Sequence, residues 1–519
     1  MLHRRFVLIT GLLAGSGCVS SDPTSEAEPS DDSPVESVAE SVAESAATVS
    51  TAATITLDAR TAACKLDPRV VVGVVSVETC VGADLFFRDS FGGNGRTCAT
   101  CHPVGHNLTI DPAFIATLPP TDPLFVAELD DNLTELEKPR IMHRFGLILE
   151  NVDGFLPDPT THFVLRSVPH TLSLSTSVTR PPGSPNPPFD RTGWSGDGAP
   201  NPGALRDFMT GAITQHYTKD LRRRPGIDFQ LASDLELKHI DQFMRQTGRS
   251  NELAIGSIVM SDQGAESGRQ SFIGVGCTLC HANAGANAGG FNFNFNTGVE
   301  SARNPALAGF PRDGGFGTNP NPDGSFGDGT FNVPPLIEAA DTGPFFHTAT
   351  SVVGAPAHNT DTASTIEEAI AFYTTNAFRT APDGFLIVLN PTQIDNVGRF
   401  LRGLNAVFNA AIAIKRIDAE LAVVAKFHNT RLRVQRELIR LANVEVGDAI
   451  RVLAAVQNLD PPSVTAFRRA ATQLRLAQAT DVEADRIAAL QAARLALTQG
   501  SSAVGTNISY KIGEGSVMF

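Results

Sequence analysis

The sequence Cys-x-x-Cys-His occurs twice, as Cys98-Ala-Thr-Cys101-His102 and Cys277-Thr-Leu-Cys280-His281, and takes four of the seven cysteines in a 519-residue chain. At this frequency of cysteine and histidine, chance supplies on the order of 0.002 copies of such a motif. Two thiols one helical turn apart can add across the vinyl groups of a haem, and the adjacent histidine turns its imidazole onto the iron. A zinc ribbon would want paired Cys-x-x-Cys without this histidine, and a thioredoxin motif would want one copy on a βαβ pattern. The two motifs therefore predict two covalently bound haem c groups, with His102 and His281 as iron ligands. The fold they call for is mainly α and loop-rich, with chain wrapped around each group.

The other three cysteines each have a separate expectation. His3-Arg4-Arg5, an apolar run from Phe6 to Ala14 and Gly15-Ser16-Gly17-Cys18 read as an export signal over residues 1–18. It resembles a bacterial lipoprotein signal, with Cys18 as the lipidated first residue. Ordinary cleavage without a lipid is the alternative, because Gly15 stands where such signals usually carry Leu. Sec export fits better than a twin-arginine route, since c-type haem is attached to an unfolded exported chain. Cys64 and Cys80 are then left as a pair in an oxidising compartment. A disulfide between them would stabilise the N-terminal segment by on the order of 3 kcal/mol; two unrelated free thiols are the alternative.

Residues 19–54 are Ser, Ala, Glu and Pro without Lys or Arg, and read as a disordered acidic tether. Its eight acidic residues and the two signal arginines account for −6 of the net charge of −14, leaving −8 for the rest. That modest charge carries no nucleic-acid footprint. No later apolar run reaches the ~18 residues of a membrane span, so membrane contact is expected only through a lipid on Cys18. The protein is expected in the periplasm or cell envelope.

One motif falls in each of two expected cytochrome c domains, 55–203 and 204–405. Helices are expected within 204–272, and eleven glycines between Gly285 and Gly329 read as a loop. From Thr392 the pattern changes to long amphipathic helices, Thr392–Phe408, about Asp418–Leu441, Pro462–Ala479 and Asp481–Leu497, so that 406–519 forms a helical C-terminal extension. Its apolar stripe includes Leu421, Val424, His428, Leu432 and Leu438, with His428 read as structural. Arg431, Arg433, Arg436 and Arg440 read as a solvated face.

Beyond the motifs, the chain shows in order Arg166-Ser-Val-Pro169-His-Thr-Leu172, Gly193-Trp194-Ser-Gly-Asp197-Gly198, Phe331-Asn-Val-Pro-Pro-Leu336, Thr342-Gly-Pro344-Phe-Phe-His347 and Thr365-Ile-Glu-Glu-Ala-Ile-Ala-Phe-Tyr373. With the two Cys-x-x-Cys-His motifs, this order resembles the bacterial dihaem cytochrome c peroxidase family that also contains MauG, over about residues 80–405. The resemblance implies that the N-terminal haem meets hydrogen peroxide or another small oxidant. The C-terminal haem would supply electrons from a small cytochrome or cupredoxin donor. Trp194, the chain's only tryptophan, matches the family's tryptophan between the haems and is expected to relay electrons.

The resemblance also implies that Tyr373 ligates the second iron, as a tyrosine does in MauG where the peroxidases place methionine. His347 would hydrogen-bond beside that haem. The family's catalytic glutamine falls near Phe208 and its acid partner near Thr218, so neither is kept in kind. Gln215 and His216 are the nearby substitutes for proton transfer. Phe208 over the iron resembles instead the rubber oxygenases, dihaem relatives with a hydrophobic dioxygen pocket. A sixth ligand for the first iron is sought among His106, His143, His162 and His170. Calcium binds between the domains in the family, but Ser167 replaces the usual Asn. The expected activity is peroxide reduction; a MauG-like oxidation of a partner protein, a rubber-oxygenase-like reaction and a non-catalytic electron carrier are the alternatives.

Overall fold

Caps and apolar spacing together set most of the helices in the computed structural model, which describes residues 55–152, 162–179, 190–197, 203–287, 291–317, 325–349 and 363–519. The signal, Cys18 and the acidic tether lie outside the described residues. Ser233 accepts a hydrogen bond from the Glu236 backbone N–H, and the Glu236 carboxylate accepts from the Ser233 N–H at 2.7 Å. This reciprocal cap starts the helix Asp234–Arg245. Its buried stripe of Leu237, Ile240, Phe243 and Met244 packs against the helix Val77–Arg88. That helix carries Cys80, which forms the expected disulfide with Cys64 on the helix Leu57–Lys65. Arg60 reinforces the clasp through Asp84 and Asp89.

The apolar core beside Cys98 draws on residues 64–91 and on the helices Leu205–His216 and Asp234–Arg245. Two helices assigned from sequence to 204–405 thus pack with elements of 55–203. A short antiparallel pair, Leu147–Glu150 with Val164–Ser167, sets Ile148 opposite Arg166 and Leu147 opposite Ser167. A larger core surrounds the second motif and extends into the C-terminal helices. By contact, the described residues form one unit.

Three sequence expectations change. The glycine-rich stretch holds a three-stranded sheet, with Ser325–Asn332 between Asn294–Phe295 and Arg312–Gly315. Gly314 lies so close to the Phe326 carbonyl that a side chain would collide with it, so glycine here marks backbone contact within a sheet. The C-terminal helices begin with one 37-residue helix, Pro391–Phe427, so the boundary drawn at 405/406 falls inside a single element. Nothing between Phe408 and Asp418 breaks it, and Phe400 and Phe408, both fully buried, anchor it at about 1.5–3 kcal/mol each. Finally, the last helix does not stop at Leu497 but runs Glu483–Val504, through Gly500. Gly500 gives Phe467 of the helix Pro461–Ala479 room to pack.

The break in the C-terminal helices comes at His428, whose side chain is 68% exposed and meets Glu483 at 3.0 Å. The position expected within the apolar stripe is a surface kink. The arginines beyond it lie at or near the surface as expected, Arg436 and Arg440 meeting Asp481 and Glu437. After Val504 the chain returns to the rest of the protein: Gly505–Thr506 pairs with Val259–Met260, and Glu514 caps the helix Val77–Arg88 through Ser76 and Thr79. Among the described residues no helix is long and apolar enough to cross a membrane.

Candidate active site: one cavity behind two motifs

Cys98–Cys101 forms a single helical turn, and Cys277–Leu279 a tight 3-10 turn, so each motif offers two thiols and a histidine from one short element. Both motifs line the same cavity, of about 340 Å3. All four cysteines are free, and burial pushes the Cys98 and Cys280 thiols up to about 11 and those of Cys101 and Cys277 to about 12. The Tyr217 hydroxyl donates to Cys98 Sγ at 3.2 Å.

The histidines are held in matching ways. His102 Nδ1 lies 2.7 Å from the Leu108 carbonyl, and His281 Nδ1 lies 3.3 Å from the Gly285 carbonyl. A carbonyl can only accept, so Nδ1 carries the proton and Nε2 keeps a lone pair free. Burial lowers both imidazoles to about 4, so both are neutral at ordinary pH. A neutral imidazole with Nδ1 tied to a carbonyl is the arrangement iron ligation requires. With two unpaired thiols beside each imidazole and a largely apolar cavity in front, these residues fit a thioether-linked haem at each motif.

Trp194 lines the same cavity, and its Nε1–H donates to the Ser167 carbonyl at 2.8 Å. Ser167 N–H in turn donates to the His347 carbonyl at 2.7 Å. Gly193, with φ of +61°, turns the chain into the tryptophan, and the Phe208 ring covers the space a side chain there would take. His347 is 1% exposed, stacks on Phe331 with ring centroids 4.0 Å apart, and meets Glu300 at 3.1 Å through Nε2. Arg166 grips Asp313 with two bonds of 2.6 and 2.9 Å and reaches Glu150 at 2.9 Å. Burial alone would raise the Asp313 carboxyl; Arg166 overrides it and holds it below its ordinary value. Glu300 and Asp313 were missed in the sequence, where they lie in the glycine-rich stretch without a motif of their own.

Tyr373 ends the helix Ile366–Phe372 and lines the cavity. Its hydroxyl pKa is raised by burial and by the thiols of Cys280 and Cys277, which puts it on the side of the second motif. Phe372 and Phe378 pack edge-on against its ring.

The helix Leu205–His216 separates the two proton-transfer candidates. Gln215 is 5% exposed and does not line the cavity. Its Oε1 accepts from Asn151 N–H at 3.1 Å and its Nε2 donates to the Leu149 carbonyl at 2.7 Å. Gln215 therefore braces the end of a strand, and its placement in the catalytic set is corrected. His216 does line the cavity with Phe208. Its buried Nδ1 has no hydrogen-bond partner and lies 3.8 Å from Glu137, a carboxylate already paired with Arg96. Burial, with Arg96 and Arg223 nearby, lowers His216 to about 3. Thr218 is buried and donates to the Asp220 carbonyl at 2.5 Å, a turn contact outside the cavity.

No protein-family model, curated protein or solved structure matches this chain.

Of the four histidines considered for the first iron's sixth position, His106, His143 and His162 do not line the cavity. His106 stacks on Phe114 beside Asp111, and His143 stacks on Phe125 while meeting Glu128 at 2.9 Å. His162 packs near Phe326. Only His170 of the four reaches the cavity. For calcium, the Ser167 hydroxyl is engaged with the Phe346 carbonyl at 3.0 Å. Among the described residues no three His, Cys, Asp or Glu side chains converge as a metal-ion site.

Proposed function

We propose that the chain is a dihaem c-type oxidoreductase, similar to the cytochrome c peroxidases, that reduces hydrogen peroxide at the Cys98/Cys101/His102 site with electrons taken in at the Cys277/Cys280/His281 site. The observation that carries this reading is the shared cavity: both motifs, Trp194 and His216 open onto it. Haem at the two sites would supply one-electron chemistry and an iron able to receive an oxidant. His102 and His281 would ligate through Nε2, since their Nδ1 protons are committed to carbonyls.

Trp194 offers an aromatic route for electrons, fixed by its bond to Ser167 and by the bond that Asn332 N–H donates to its own carbonyl at 2.8 Å. Reduction of peroxide to two waters takes two electrons and two protons. His216 is neutral and its Nδ1 is buried toward Glu137, which leaves its other ring nitrogen for the cavity; that nitrogen can accept a proton from one peroxide oxygen, and its low basicity favours passing that proton to the other. Phe208, Ile148 and Ile213 keep the surrounding wall apolar.

Two further readings have an observation each. Phe208 on the cavity wall favours a rubber-oxygenase-like reaction with dioxygen. Tyr373 facing the second motif's thiols favours MauG-like oxidation of a partner protein. As the sequence implies, the protein is proposed to be exported, anchored at the cell envelope by a lipid on Cys18, and served by a small cytochrome or cupredoxin donor. Pyridine haemochrome analysis is expected to give two haem c per chain, and peroxide consumption is expected with a reduced artificial donor. Two low-spin haems indifferent to peroxide before and after partial reduction would leave only the electron-carrier reading.

A further inference from the structure

Among the described residues five imidazoles line the cavity, those of His102, His170, His216, His281 and His347, and their hydrogen bonds divide them. His102 and His281 donate from Nδ1 and keep a lone pair on Nε2. His170 is connected in the opposite sense. Its Nδ1 lies 3.3 Å from the Leu172 backbone nitrogen. A backbone N–H can only donate, so Nδ1 of His170 accepts and the ring proton sits on Nε2. That nitrogen has no lone pair for iron, which removes His170 from the sixth-ligand candidates. It leaves an N–H donor that no protein acceptor meets among the described residues.

The segment that carries His170 is fixed along its length. Ser167 is bonded to Trp194 and His347, the Val168 carbonyl accepts from the Thr109 hydroxyl at 2.5 Å, and the Leu172 carbonyl accepts from Arg249 N–H at 2.9 Å. Thr109 directly follows Leu108, whose carbonyl holds His102. Burial, with Arg249 nearby, lowers His170 to about 3, so the ring is neutral and carries one N–H at any ordinary pH. Through the Thr109–Val168 bond this segment is tied to the turn that holds His102, so the donor belongs to the first site.

A donor that lines the cavity and is fixed before its partner arrives needs no reorganisation to use. We propose that His170 is a positioning residue of the first site, a preset Nε2–H donor to an oxygen acceptor on, or bound to, the haem at Cys98, Cys101 and His102. The acceptor is either a carboxylate side chain of the haem or an oxygen of a small ligand on its iron. This inference rests on the haem reading.

The test uses the full-length holoprotein with His170→Leu, which removes the donor, and His170→Gln, which keeps an N–H. Pyridine haemochrome analysis first counts the haems; a wild-type count of zero overturns the haem reading, and this inference with it. With two haems present, three quantities are read at the first site: azide affinity, the C–O stretching frequency of the carbon monoxide adduct, and the midpoint potential. If the acceptor is an iron-bound ligand, His170→Leu weakens azide by about tenfold or more, the scale of a lost bond to a charged group, and raises the C–O stretch. If it is a haem carboxylate, the potential falls while azide affinity and the C–O stretch hold, because losing the donor makes the carboxylate more electron-releasing. In both cases His170→Gln returns the value toward wild type. All three quantities unchanged in His170→Leu, or a change confined to the second haem, overturns the inference. If His170→Leu fails to retain haem, His170→Gln decides by the same readouts, and wild-type values there support the donor.

Discussion

Adjacent residues Gln215 and His216 test the assignment of roles along one helix. Gln215→Leu removes a side chain that makes two buried bonds to the backbone, at 3.1 Å to Asn151 and 2.7 Å to Leu149. The variant leaves one N–H and one carbonyl inside the protein without partners, at about 1–3 kcal/mol each, or about 2–6 kcal/mol together. At the usual unfolding entropy per residue, a folded body of this size loses roughly 1 °C of Tm per kcal/mol. Gln215→Leu is therefore expected to lower the melting temperature by about 2–6 °C and to speed hydrogen exchange at residues 147–151. Peroxide consumption should stay within about twofold of wild type, because the amide never faces the cavity. His216→Leu is expected to do the reverse. Its Nδ1 is already buried and unpartnered, so an apolar replacement of similar volume leaves the melt within about 1 kcal/mol, whereas losing a proton-transfer group slows turnover by about 10²–10⁴. Differential scanning calorimetry and a stopped-flow peroxide assay on the two variants read both quantities. A Gln215→Leu protein that melts normally but no longer consumes peroxide would refute the orientation of this helix and with it the site.

Trp194→Phe removes the indole and its bond to Ser167 and is expected to slow electron transfer from the second site to the first by at least tenfold without loss of haem; equal rates after rapid reduction of the second site would remove the relay. Tyr373→Phe deletes a hydroxyl with no protein hydrogen bond among the described residues, so stability should change by less than about 1 kcal/mol. The absorption and EPR spectra of the second haem should change, and unchanged spectra would exclude Tyr373 as its ligand. Acid stability follows from His216, whose folded pKa of about 3 lies below the ordinary histidine value because of burial. The unfolded chain takes up its proton below about pH 6.5 and the folded chain does not, so this contribution is complete above that pH and is lost toward pH 3. Wild type should lose up to about 1.4 kcal/mol per pH unit relative to His216→Leu in that window. Taking the difference between the two proteins in urea titrations cancels the carboxylates, and a constant difference from pH 6.5 to 4 would contradict a buried neutral His216.

What the sequence made legible is the chemistry that is local along the chain. Cys98, Cys101 and His102 lie within five residues, and the carbonyls that fix the two imidazoles lie only six and four residues further on, at Leu108 and Gly285. The helix Asp234–Arg245 was equally legible, because Ser233 and Glu236 cap it and its apolar residues recur at helical spacing. The disulfide followed from counting which thiols the motifs left over. Expectations failed where the answer depends on what lies opposite. The glycines of 285–329 read as a loop, since a single strand gives no sign of the neighbour whose backbone needs the space. The long helix through residue 405 was divided because its middle carries apolar residues on every face, a pattern that makes sense only when several elements surround it.

The same limit explains the site. Successive residues on a helix point about 100° apart, so choosing between Gln215 and His216 means knowing on which side the cavity lies. That is set by the strand Leu147–Glu150, which claims the glutamine, and by Glu137 and Arg96, which close off the far nitrogen of the histidine. His347 poses the problem at longer range, because its partner Glu300 sits 47 residues earlier. Hydrogen-bond direction is still less visible from sequence: His170 and His102 line one cavity, and only the group opposite Nδ1, an N–H in one and a carbonyl in the other, leaves an N–H on Nε2 of the first and a lone pair on Nε2 of the second. Residue type names the chemistry a position can perform, and the backbone that meets it decides which half of that chemistry is used.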